Sequence, residues 1–213
     1  MKPSAAKASA AVSQAPSTIP PAAPRGRPSS REAMLDAAVA VTLEQGASRL
    51  TLDAVAKRAG VSKGGVMYNF PTKEALLEAL LERLTQHNRQ AGEAIAAALP
   101  DVPGRALQAY VLNSIRDPDD DDRVSGALAA VVNGSPALLK RVAGYFAKRF
   151  DVVSQDVPFE RAALAYIATE GLWLMELFGV SPFNAVQRSR IVELLTDLAA
   201  GHRDALPDRP GHG

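Results

Sequence analysis

Cysteine is absent from the 213 residues, which excludes disulfides and thiolate metal sites. Aromatics are scarce, with one tryptophan, while Ala and Leu are abundant, a balance that favours helix over sheet. Only three histidines occur, His87, His202 and His212, and two lie in or near the C-terminal tail. No His-Glu-x-x-His, Gly-x-Ser-x-Gly or Gly-rich phosphate loop is present, so an enzyme is not expected, and neither a cofactor nor a metal is called for. No run of about 18 apolar residues exists, so no membrane span is expected. The first residues carry lysines and alanines, but prolines and serines interrupt them and no apolar stretch follows. That is not a signal-peptide pattern, and a cytoplasmic protein is expected.

What is present is helix. The overall charge of +1 divides unevenly: residues 1–100 hold 12 Lys and Arg against 8 Asp and Glu, and residues 101–213 hold 12 against 15. Residues 1–24, rich in Ala, Pro and Ser, read as a disordered tail. Ser29 and Glu32 form a capping-box pattern opening a first helix, Ser30 to about Gln45, with Met34, Leu35, Ala38, Val39, Thr42 and Leu43 as its apolar stripe. Further helices are expected over Leu52–Ala59, from Ser62 to near Phe70, over Lys73–Ala98, Gly104–Arg116, Arg123–Val132, Ala137–Ser154, Phe159–Phe178 and Asn184–Ala200. The fold class is therefore all-α, about nine helices, divided into a head over 25–71 and a helical body over 72–201. Residues 202–213 read as a polar tail. The acidic run Asp117 to Asp122 lacks the alternating ligands, central glycine and closing glutamate of a calcium loop, and reads as a solvated loop capping the next helix.

The stretch Thr51–Leu77, TLDAVAKRAGVSKGGVMYNFPTKEALL, carries the most information. Its first short helix has Leu52, Val55, Ala56 and Ala59 on one face. Gly60 supplies a sharp turn, because glycine tolerates φ > 0, and Ser62 can cap a second short helix. Two helices joined by a tight glycine turn form a helix-turn-helix, whose second helix enters the DNA major groove. Val66 and Phe70, four residues apart, face inward. Lys63, Gly64, Gly65, Tyr68 and Asn69 are left outside, and none of them suits a core. Two glycines in the first turn of a helix weaken it, which points to close approach of another surface.

Residues 25–77 resemble the DNA-binding domain of the tetracycline-repressor (TetR) family of bacterial transcription regulators. The resemblance lies in the Arg-rich entry, Gln45-Gly46, Thr51 before Leu52, Val55-Ala56, Ala59-Gly60-Val61-Ser62-Lys63-Gly64 and Phe70-Pro71-Thr72-Lys73-Glu74-Ala75-Leu76. It covers about a quarter of the chain. The usual tyrosine position of the family holds Met67 here, with Tyr68 one place later, as in a Gly-Gly-apolar-apolar-Tyr subgroup. Glu170-Gly171-Leu172-Trp173 is similar to an acidic-Gly-Leu-Trp motif of some members.

The resemblance implies a homodimeric, ligand-responsive regulator, most often a repressor. Its partners are a near-palindromic double-stranded operator, a second copy of itself and a small-molecule effector; no membrane is involved. In the head, Thr51 as N-cap of its helix can bind a phosphate with the free N–H groups beside it. Lys73 is implied as a further phosphate contact. Ser62 and Lys63 open the recognition helix, where lysine can read guanine. Gly64 and Gly65 permit close docking, Tyr68 takes the phosphate contact in place of Met67, and Asn69 can reach a base or a phosphate. Arg25-Gly26-Arg27-Pro28 fits either a minor-groove arm or a solvated linker. A sequence-tolerant DNA-architectural protein is the alternative reading.

In the body, Phe159–Phe178 is the most apolar helix, and Tyr166, Glu170, Trp173 and Leu177 form one stripe along it. Glu170 reads as the polar anchor of a ligand pocket, or as a core or dimer-seam carboxylate meeting an arginine or a backbone N–H. Tyr110, Asn113, Phe146 and Met175, together with Tyr166 and Trp173, are candidate pocket residues, chosen by residue type and helix. The last two helices are expected to pair across a two-fold axis through Leu164, Ile167, Leu174, Phe178, Val192, Leu195 and Leu198.

Overall fold

The computed structural model describes residues 30–202. Arg25, Arg27, Ser29, the N-terminal tail and all but the first residue of the polar tail lie outside them. Among the described residues the secondary structure is helical throughout: α1 (Ser30–Gln45), α2 (Leu52–Ala59), α3 (Lys63–Asn69), α4 (Lys73–Ala98), α5 (Arg105–Ser114), α6 (Asp120–Val132), α7 (Pro136–Val153), α8 (Phe159–Leu177) and α9 (Ala185–Ala200), with a 3-10 turn at Ala47–Arg49. The all-α class and the helix count match the sequence expectation.

Local chemistry sets the boundaries. Thr51, Ser62 and Thr72 each accept the backbone N–H three residues on, at 3.1, 3.0 and 3.1 Å, so α2, α3 and α4 all begin at hydroxyl N-caps. Gly60 closes α2 at φ 68°, ψ 31°, in the left-handed region where glycine costs nothing. The acidic run does cap a helix, and three of its aspartates are helical. Asp119 and Asp122 form a reciprocal capping box, so α6 starts at Asp120 rather than at Arg123. Arg116 holds both of these carboxylates, at 3.2 and 2.7 Å.

Two apolar cores hold the helices. The first joins Leu35, Ala38 and Val41 of α1, Val55 of α2, Val66 and Phe70, and Leu76, Leu80 and Leu84 of α4 to Val124 and Leu128 of α6 and Leu138 of α7. The second joins Leu107, Tyr110 and Val111 of α5 to Val153, Ala165, Tyr166, Leu172, Leu195 and Ala199. Two expectations shift here. In α1, Leu43 is exposed and Val39 only partly buried, while Ala37 and Val41 are buried. The helix packs against α2 on one side and α4 and α6 on others, so its buried surface is wider than one stripe. In α9, Leu195 is buried inside the protomer, and Val192 and Leu198 pack partly buried on the same core. That side of α9 lies on α5 and α8 and is not free to meet a second copy.

Candidate functional site

The head presents α3 to solvent. Val66 and Phe70 are fully buried and fix the helix, and the Arg31 guanidinium lies 5.3 Å from the Phe70 ring centroid. On the other side Tyr68 is 89% exposed and Met67 45%. Lys63 is exposed and paired with Asp53 of α2 at 3.0 Å. A Cβ on Gly64 would come no closer than 3.9 Å to the rest of the chain, and one on Gly65 no closer than 3.4 Å. Nothing among the described residues requires glycine at either place. Asn69 turns back on its own helix and donates one amide N–H to the Gly65 carbonyl at 3.1 Å. Thr51 and Ser62 are exposed caps and Lys73 is half-buried at the first turn of α4. Caps at the N-termini of α2 and α3, with a basic residue beside them, form a surface able to receive phosphate oxygens. The Asp53–Lys63 pair was not foreseen from the sequence; a spacing of ten residues across a turn carries no periodic signal.

The body holds a half-open cavity of about 640 Å³ between α4, α5 and α7. Of the expected pocket residues, Tyr110 and Asn113 line it. Phe146, Tyr166, Glu170, Trp173 and Met175 do not. Trp173 and Met175 are half-buried on α8, a helix that contributes nothing to the cavity wall. Instead α7 supplies Arg141, Val142, Tyr145, Lys148 and Arg149, and α4 supplies Glu78, Leu81, Glu82, Asn88, Arg89 and Glu93. At the rim, Arg141 pairs with Glu78 at 3.0 Å, and Arg89 pairs with Glu93 one helical turn on.

Behind one cavity wall stands a polar cluster. Arg149 of α7 donates from Nη2 to Glu170 of α8, from Nε to the Tyr166 hydroxyl at 3.2 Å, and from Nη1 to the Tyr145 hydroxyl at 3.3 Å. Tyr110 donates to Glu170 at 2.7 Å and stacks on Tyr166 with centroids 5.0 Å apart. Tyr145 donates to the Asn88 side chain at 3.1 Å, and Tyr166 to the Phe146 carbonyl at 3.3 Å. Glu170 thus meets an arginine. Burial, with Glu170 adding to it, pushes the Tyr110 hydroxyl far above the ordinary tyrosine range, so it remains a neutral donor. Burial likewise raises Tyr166. Burial works against the charge of Arg149, but Glu170 and the surrounding tyrosines outweigh it, and its pKa rises. The cluster is an ion pair set among aromatic rings. Sequence reasoning missed two titratable members, Tyr145 and Arg149; the neighbours Lys148 and Asp151 make Arg149 look like part of a solvated face.

Outer faces of α8 and α9 carry apolar side chains in solvent: Phe159, Leu164, Ile167, Leu174 and Phe178 on or ending the first, Val186 and Leu194 on the second. No helix of the described residues is long and apolar enough to cross a membrane.

Two family models match the chain. Residues 34–80 match bacterial regulatory proteins of the tetR family, and residues 104–200 match the tetracyclin repressor-like C-terminal domain. The chain is 31% identical over 169 residues to the HTH-type transcriptional regulator BetI of Cronobacter sakazakii, covering 72% of this chain and 82% of that one. A solved transcriptional regulator from Streptomyces coelicolor A3(2) superposes with TM-score 0.65 at 22% identity, covering 81% of this chain and 99% of that chain. The multidrug binding protein EbrR, complexed with malachite green, superposes with TM-score 0.63 at 21% identity, covering 80% of this chain and 98% of that chain.

Proposed function

Because the chain belongs to the TetR family of bacterial transcriptional regulators, and is a DNA-binding helix-turn-helix protein rather than an enzyme, we propose that it is a cytoplasmic homodimeric repressor. It binds a near-palindromic operator and releases it when a small molecule enters the body. Head and body divide at residue 71. The carrying observation is the surface of α3. Two glycines stand at its start where the chain has room for side chains, and glycine costs a helix about 1 kcal/mol against alanine. That cost is kept because the backbone docks closely on DNA.

In this reading Lys63 reaches base edges from the first turn. Tyr68, Thr51 and Lys73 contact phosphates, Ser62 orients the turn, and Gly64 and Gly65 let the helix approach. Asn69 braces α3 through its bond to Gly65 and keeps its second N–H and its carbonyl oxygen for a base or a phosphate. Arg25 and Arg27 form an arm in the flanking minor groove. Few side chains read bases, so DNA shape supplies part of the specificity. The dimer forms through Ile167 and Leu174 of α8 and Phe178 at its end, with Val186 and Leu194 of α9, whose exposure in one protomer leaves an apolar face to cover.

The effector enters the cavity between α4, α5 and α7, which has the volume of a small-molecule site. EbrR, of similar fold, is a multidrug binding protein solved in complex with malachite green. Binding there favours a conformer whose heads no longer match successive major grooves. The experiment is a titration of DNA flanking the gene by wild-type protein and by Lys63→Ala. Loss of a discrete complex with the variant supports the reading. Equal binding of every fragment by both proteins points instead to a sequence-tolerant architectural protein.

A further inference from the structure

We propose that the rings around Arg149 form a cation site opening onto the cavity, and that the effector carries an amidinium or guanidinium group that takes the place of Arg149 there. This rests on the reading of the cavity as an effector site and names the chemistry of what enters it. The Arg149 Cζ lies 5.2 Å from the Tyr110 ring centroid, 4.9 Å from Tyr145, 5.0 Å from Phe146 and 5.3 Å from Tyr166. Rings at such distances attract a cation through their quadrupoles. Each guanidinium nitrogen also has an acceptor: the Tyr166 hydroxyl, the Tyr145 hydroxyl and the Glu170 carboxylate. The surroundings therefore match a flat, N–H-bearing cation and not merely a positive charge.

Position makes the site available. Tyr110, Tyr145 and Arg149 line the cavity, whereas Tyr166 and Glu170 do not. Arg149 stands between the cavity and the carboxylate, at the end of a flexible side chain. If it swings toward the exposed rim at Lys148, Glu170 and the rings become the end wall of the chamber. Asn113 supplies a second, independent pointer. It is 4% exposed and lines the same cavity. Its Nδ2 lies 3.5 Å from the Asn88 carbonyl oxygen, a long hydrogen bond, and its Oδ1 has no donor among the described residues. A buried acceptor without a donor is costly, and a ligand N–H relieves it.

Charge decides between classes of ligand. A neutral group displacing Arg149 leaves Glu170 buried without its counter-charge, which is strongly unfavourable. An anion meets an arginine whose three nitrogens are already engaged, and sets an acceptor against Asn113 Oδ1. Exchange of one planar cation for another keeps every contact. Apolar walls at Leu81, Ala109, Val142 and Val153 hold the remainder of the molecule. The exchange also breaks the Arg149 bonds from α7 to Glu170 and Tyr166 of α8, the helix that carries the proposed dimer face, and leaves the Tyr166 bond to the Phe146 carbonyl as the remaining polar tie there.

Calorimetric titration of the full chain with benzamidine and with neutral benzamide tests this. Circular dichroism first establishes that each variant is folded. Wild type is expected to bind benzamidine and not benzamide. Arg149→Ala empties the site in advance, so its benzamidine affinity is expected to rise at least about tenfold, since a competing occupied state no longer reduces the competent fraction. Glu170→Gln and Asn113→Ala should each weaken binding. The proposal is overturned if benzamide matches benzamidine, or if wild type and Arg149→Ala bind benzamidine equally, which places the cation elsewhere. Binding by Arg149→Ala with none by wild type also overturns it, because Arg149 is then a permanent filler. These titrations contain no DNA. If benzamidine binds in the expected pattern but leaves operator affinity unchanged, the cation site stands and the reading of the cavity as a regulatory site falls.

Discussion

Lys63, the first residue of α3, is held 3.0 Å from Asp53, the second residue of α2. Both side chains are more than half exposed, so the pair contributes at most about 1 kcal/mol to stability. Its importance lies in placing a carboxylate on the surface that is proposed to face phosphate. Asp53→Asn should leave the unfolding midpoint nearly unchanged. It should tighten operator binding, because Lys63 is released and a repelling charge removed. Parallel melting and operator titration check both outcomes.

Gly64 and Gly65 offer a separation of stability from function. Each has room for a Cβ, so Gly64→Ala and Gly65→Ala should stabilise the protein by up to about 1 kcal/mol. If α3 docks closely on DNA, both should weaken operator binding. Denaturant unfolding beside a binding titration shows whether the two properties move in opposite directions.

Assembly is best probed on α8. Ile167 is 67% exposed, so Ile167→Glu removes no core contact, and in a two-fold interface the new charge faces a region close to its own copy. A monomer with unchanged helical circular dichroism and weak operator binding is expected on sedimentation. Leu195→Glu is unsuitable, because Leu195 lies in the protomer's own core and the variant is expected to unfold.

The tyrosines give a pH dependence. Tyr110 is raised in the folded chain, chiefly by burial, from its ordinary value of 10.0. Below pH 10 both states hold the proton and the shift has no effect. Above it the unfolded chain loses a proton that the folded chain keeps, so stability falls as pH rises, by about 1.4 kcal/mol per pH unit for each such group. Tyr110→Phe should show a shallower loss than wild type between pH 10 and 11 in urea titrations, although it is less stable at pH 7.

Much of this was legible in the sequence, and the limits follow from the range of the forces involved. Caps and turns act over three or four residues. Thr51, Gly60, Ser62 and Thr72 can therefore be read directly, and with them the bounds of α2 and the starts of α3 and α4. The inward pair Val66 and Phe70 follows from helical spacing. Pocket and interface residues depend on which faces meet, and periodicity does not say. Arg149 and Glu170 are 21 residues apart on different helices. The sequence showed that Glu170 required a partner but not which one. Trp173 stands out in the sequence by its size and its motif, but it lies half-buried on α8, outside the lining of the cavity between α4, α5 and α7. In α9 the burial pattern was assigned to a second copy when α5 and α8 already cover it.

The most direct test is selection of bound sequences from a random duplex pool by the wild-type protein, with Lys63→Ala as control. A dimer presenting two copies of α3 should enrich a near-palindrome whose half-sites lie about one helical turn, roughly 10 base pairs, apart, and the control should lose it. Enrichment of no motif, or of a single unpaired half-site, would contradict the reading of this chain as a dimeric, operator-specific regulator.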